Sequence, residues 1–179
     1  MKLKLLLLVL ALQTAWILGT TFVQERVLAG GKLVLLETLP VDPRDLLRGD
    51  YVILNYKISD VALSPPGPTN GLPPGTTVYV ALEPRGQFHE VVLASTNRIT
   101  PAAGQVVLKG HSSSWWNRAA QNTVHLEYGL ERYYVREGTG NPRGKMTVQA
   151  AVPDSGKAQI KAVFVDGKPY IEAMKEVAQ

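Results

Sequence analysis

The sequence predicts an all-β domain, a sandwich or partly open barrel of about eight to ten short strands, preceded by one N-terminal transmembrane helix. Three observations predict it. Leu5 to Val23 is a run of nineteen uncharged residues directly after Met1-Lys2-Leu3-Lys4. Beyond it, short apolar runs rich in Val, Ile, Thr and Tyr alternate with Gly- and Pro-marked turns. Helical periodicity is nearly absent after the first segment. The chain has 179 residues, enough for one domain with one core, and no Cys, so disulfides, thiolate metal sites and a cysteine nucleophile are excluded.

The apolar run spans roughly 28 Å as a helix, close to the hydrocarbon thickness of a bilayer. Lys2 and Lys4 before it, with Gln24, Glu25 and Arg26 after it, place the N-terminus inside and the rest of the chain outside. Residues 1–26 therefore read as a signal-anchor and residues 27–179 as an extracytoplasmic β domain. Val27-Leu28-Ala29 is a tolerable cleavage site, but it lies past the apolar run and behind two charges, so an uncleaved anchor is favoured over a cleaved signal. The net charge is +4; with Lys2 and Lys4 set aside, 17 basic residues face 15 acidic ones. No basic run interleaved with aromatics is present, so the domain has no nucleic-acid footprint.

Lys32 to Thr38 is the first strand, bounded by Gly30-Gly31 and Pro40. Residues 64–75 hold Pro65, Pro66, Pro68, Pro73, Pro74, Gly67, Gly71 and Gly75, which predicts a disordered or extended loop. Thr76 to Leu82 and Phe88 to Ser95 pair around residues 83–87. Gln105 to Lys109 is a further strand. Thr123 to Arg136 is one long strand interrupted at Gly129, where a bend lets it switch neighbours. Lys145 to Val152 and Ala158 to Val165 pair through Pro153-Asp154-Ser155-Gly156, and Asp166-Gly167 turns the chain into a short last strand, Lys168 to Glu172. The tail from Ala173 is frayed or briefly helical.

The segment from Val41 to Tyr56 organises the rest. Asp42-Pro43-Arg44-Asp45 reads as a helix start, with Asp as cap and Pro at the first helical position, and Gly49 as its stop. From Tyr51 the period becomes two: Val52, Leu54, Tyr56 and Ile58 share one apolar face, and Tyr51, Ile53, Asn55 and Lys57 the other. Gly49-Asp50-Tyr51-Val52-Ile53-Leu54-Asn55-Tyr56 spells Gly-Asp-Tyr-x-x-Leu-x-Tyr and resembles the signature of the GDYXXLXY family. The preceding Val41 to Asp45, and Tyr128-Gly129-Leu130-Glu131-Arg132-Tyr133-Tyr134-Val135-Arg136-Glu137-Gly138, resemble that family in order as well. The resemblance implies a bacterial, membrane-associated protein. It implies no substrate, cofactor or catalytic residue.

Residues that could carry chemistry are few. Asp45 and Asp50 with Glu131 and Glu137 could set carboxylates over a groove for acid–base work, but caps and ion pairs are the favoured account of them. His89, His111 and His125 have no metal-ligand spacing, although His125 and Glu127 share a strand face. Ser112-Ser113-Ser114 lacks both a Gly-x-Ser-x-Gly elbow and a Ser-x-x-Lys pattern. Trp115 and Trp116, beside Arg118, could meet a membrane interface or a partner, or close the core.

The leading expectation is a non-enzymatic single-pass protein of the cytoplasmic membrane. Residues 5–23 lie in the bilayer, and the β domain on the outer face is an accessory subunit of a polytopic membrane protein. Its binding surface draws on Asp42, Pro43, Arg44, Asp45, Gly49, Asp50, Tyr51, Leu54 and Tyr56, with Glu131, Arg132, Tyr133, Glu137 and Gly138. A second expectation is an envelope hydrolase or transferase using Asp50 with Glu131 or Glu137. A third is a small-ligand or glycan binder using Trp115 and Trp116. No metal and no cofactor is expected.

Overall fold

The computed structural model describes residues 2–39, 51–64, 72–113, 123–135 and 144–177. The first helix, α1 (Lys2–Gly30), has no buried residue, and it is long and apolar enough to cross a membrane. The hydroxyls of Thr14, Thr20 and Thr21 donate back to the carbonyls of Leu10 and Ile17, so they need no water in an apolar surround. The helix continues beyond Arg26 and passes into the domain without a linker. Gly31 N–H donates to Val27 O at 2.9 Å, and the next residue begins a strand. A Cβ on Gly31 would lie 2.6 Å from Val27 O and 3.0 Å from Val152 N, both main-chain atoms. Only glycine fits that junction.

Among the described residues twelve strands form three sheets. The strands are β1 (Lys32–Leu39), β2 (Tyr51–Ile53), β3 (Asn55–Tyr56), β4 (Asp60–Ala62), β5 (Thr77–Arg85), β6 (Phe88–Ser95), β7 (Val106–Ser112), β8 (Thr123–Glu127), β9 (Arg132–Tyr134), β10 (Met146–Val152), β11 (Gln159–Val165) and β12 (Lys168–Pro169). One five-stranded sheet has the order β12-β11-β10-β1-β3, the other β4-β8-β7-β5-β6, and β2 pairs with β9 alone. None closes on itself, so the domain is an open, sandwich-like all-β fold, as the strand pattern predicts. Its core lies between the large sheets: Val34, Leu36, Val148 and Ala150 from one, Val78, Val80, Leu82, Leu108 and Leu126 from the other, all fully buried. A bond from Leu35 N–H to His89 Nδ1, 3.2 Å, ties β1 to β6 across the two sheets. Glu37 on β1 accepts from Lys145 and Lys57, and the Lys145 ammonium foremost holds its carboxyl below the ordinary range.

Four expectations change. The single strand from Tyr51 is three short ones, because the chain changes partner twice: β2 pairs with β9, β3 with β1 and β4 with β8, with a 3-10 turn at Lys57–Ser59 between β3 and β4. Alternation survives, and Val52, Leu54, Tyr56 and Ile58 are all buried. The β5–β6 turn is tighter than residues 83–87. Both strands run to Gly86-Gln87, and Pro84 is tolerated because β7 pairs only as far as Leu82, leaving one side of β5 unpaired there. The end of the Pro/Gly loop is a docked turn. Leu72 is buried, Ser112 Oγ donates to Pro73 O at 2.5 Å, and Gly75 N–H donates to Ser112 O. Residues 65–71 lie outside the described residues. Finally, the last strand stops at Pro169 and Tyr170–Val177 forms a helix, α2, burying Tyr170, Ala173 and Met174 at helical spacing.

Candidate functional site

The two halves of the motif region meet. β2 and β9 run antiparallel with Tyr51 opposite Tyr134, Val52 opposite Tyr133 and Ile53 opposite Arg132. Alternation then sorts the side chains onto two faces.

The inward face is a set of interlocked tyrosines. Tyr56 is fully buried and its hydroxyl donates to Leu130 O at 2.7 Å. Tyr128 returns the contact, donating from its hydroxyl to Ile58 O at 2.6 Å. Leu54 N–H donates to Glu131 O, and Glu131 Oε1 accepts Tyr128 N–H at 2.6 Å. Gly129 makes this possible with φ +78, the left-handed conformation that turns the chain between Tyr128 and Leu130. Gly110 on β7 supplies the floor: a Cβ there would sit 3.0 Å from the Tyr128 ring. Burial pushes both phenols up, with the Glu131 carboxylate adding to each and Asp60 to Tyr128. Tyr133 packs edge-on against Tyr170 of α2, with ring centroids 5.4 Å apart. Leu54, Tyr56, Glu131 and Tyr133 are therefore parts of the scaffold.

The outward face is different. Tyr51, Ile53, Arg132 and Tyr134 stand side by side. The Arg132 guanidinium lies 5.7 Å from the centre of the Tyr51 ring, within cation–π range, and the Tyr51 and Tyr134 rings are 6.1 Å apart. Ile53 is 41 % and Tyr134 73 % exposed. Tyr134 and Ile53 belong to this surface although the motif letters do not single them out; the period of two through Tyr51 and Arg132 was the signal for both.

Of the remaining sequence-derived positions, Asp42, Pro43, Arg44, Asp45, Gly49, Asp50, Trp115, Trp116, Glu137 and Gly138 lie outside the described residues. His125 meets Asp60 at 2.9 Å across the β4–β8 pair. His89 accepts the Leu35 amide, and its partial burial lowers its pKa. Ser112 is buried in the loop-end turn. Among the described residues, no group of three or more His, Cys, Asp or Glu is placed to hold a metal ion.

No curated protein and no solved structure matches the chain. The family model described as GDYXXLXY protein matches residues 13–163, which takes in the last part of the apolar helix and the strands up to β11. With Leu54 and Tyr56 of the signature locked against the Tyr128–Tyr134 segment, and the match covering most of its length, the chain belongs to the GDYXXLXY protein family.

Proposed function

We propose that this protein is a membrane-anchored binding subunit without catalysis of its own. In this reading α1 crosses the cytoplasmic membrane with its N-terminus inside. The β domain stands on the outer, periplasmic face, and the outward side of β2–β9 docks a polytopic membrane protein. Lys2 and Lys4 ahead of the apolar run support the orientation. One observation carries the docking assignment: Tyr51, Ile53, Arg132 and Tyr134 form an exposed face of the residue types that anchor protein interfaces, while the other side of the same two strands is locked into the core. Glu131, the described carboxylate of the catalytic alternative, is engaged by the Tyr128 amide, which favours binding over acid–base work.

The test is co-purification in mild detergent from the protein's own membranes, with the chain carrying Arg132→Ala and Tyr134→Ala. A partner recovered with the wild-type chain and lost with this variant, at equal membrane content, is the expected result. Undiminished recovery with the variant would rule out the β2–β9 face.

A further inference from the structure

A cleft of about 410 Å³ opens where the end of the first sheet meets β7. Its lining includes Lys32, Arg98 and Lys109, together with Tyr79, Gln105 and Asp154. Three cations thus face one carboxylate. Among the described residues none of the three is in an ion pair; Lys109 lies over the Tyr79 ring at 5.7 Å. The wall between the sheets is fixed, since Lys109 N–H donates to Gly156 O at 2.9 Å and a Cβ on Gly156 would crowd Lys109 Cγ at 3.1 Å.

The place of this cleft matters as much as its charge. Lys32 is the second residue after α1 and pairs with Val152, the last residue of β10. The turn that carries Asp154 follows at once, so the cleft lies at the end of the domain where the helix enters. The uncharged run ends at Val23, and residues 24–30 continue the helix. Those residues raise the end of α1 about 10 Å above the hydrocarbon edge, just outside a headgroup layer of about 5–8 Å, within reach of long Lys and Arg side chains at that end of the domain. A cluster of Lys and Arg at that height meets lipid phosphates first, and the Arg98 fork can hold two phosphate oxygens at once.

We propose that the Lys32–Arg98–Lys109 cleft binds the phosphate group of an anionic membrane lipid. The proposal rests on the membrane-spanning reading of α1 but not on the β2–β9 docking face. The full-length chain is reconstituted into phosphatidylcholine vesicles containing phosphatidylglycerol, and insertion is checked first by resistance to alkaline extraction. A chain that is stripped off contradicts the anchor, and with it the proposal. For an inserted chain, spin-labelled phosphatidylglycerol and phosphatidylcholine are compared for association with the protein. The expected result is a preference for phosphatidylglycerol that falls about five-fold for each charge removed in Lys32→Gln and Arg98→Gln. The same preference should rise in Asp154→Asn, a gain that damage to the fold would not produce. Equal association of the two lipids overturns the proposal, as does a preference indifferent to all three substitutions. Inorganic phosphate at matched ionic strength separates the two sources of the group. A preference that survives it supports the lipid, and one abolished by phosphate but not by chloride reassigns the cleft to a soluble phosphate.

Discussion

Tyr56 and Tyr128 each place a hydroxyl on a carbonyl of the other's segment, and each bond is buried. Removing one hydroxyl leaves a carbonyl without its partner, so Tyr56→Phe should cost about 1–3 kcal/mol of stability, read by thermal or denaturant unfolding in detergent. Tyr128→Phe should cost a similar amount. Because both contacts close the same pair of segments, the double variant should depart from additivity. The two phenols also set an alkaline limit. Their folded-state pKa values are raised by burial, so their contribution is complete below the unfolded value of about 10 and is lost as pH rises beyond it. Tyrosinate absorbance from these two should appear only together with unfolding; early ionisation in the folded chain would contradict their burial. His89 works in the opposite direction. Its pKa is lowered by partial burial, so its contribution is complete above the unfolded value of about 6.5 and falls away as pH drops below it. Replacing His89 with Gln should flatten the acid arm of a stability–pH profile.

At the scale of elements, the junction of α1 with β1 is closed by main-chain atoms on both sides. Val27 O and Val152 N leave no room for a side chain at Gly31, and neither main-chain atom can move without parting the helix from β10. Gly31→Val should therefore loosen the domain from its anchor, seen as new protease cleavage near residue 31, while Gly30→Val should be silent because nothing lies within 4 Å of a Cβ there. Much of this level was legible in the sequence. Alternation from Val52 to Ile58 named the buried side chains, and Gly129 marked the point where β8 yields to β9. The partner changes at Leu54 and Lys57 were not legible, since burial alternation is the same whichever strand lies alongside. Of α2 only the part from Ala173 was legible, as a tail that is frayed or briefly helical; its start at Tyr170 falls inside an apparent strand, and Tyr170, Ala173 and Met174 have a helical spacing too short to stand out from a strand's end. The site was half legible. The motif identified the β2 and β9 segments, but letters alone cannot tell Leu54 and Tyr56, which hold the core, from Tyr51 and Tyr134, which face outward.

For the whole molecule, the arrangement is a helix joined directly to a β domain that carries an aromatic face on its two-stranded sheet. In the proposed function this face meets a membrane partner. The most direct measurement is photo-crosslinking in the protein's own membranes, with a photoreactive residue in place of Tyr134 and, as a control, in place of Arg85 at the exposed β5–β6 turn. The expected result is one discrete adduct to a polytopic membrane protein from position 134 and none from position 85. Equal adducts from both positions, or an adduct from position 85 alone, would contradict it.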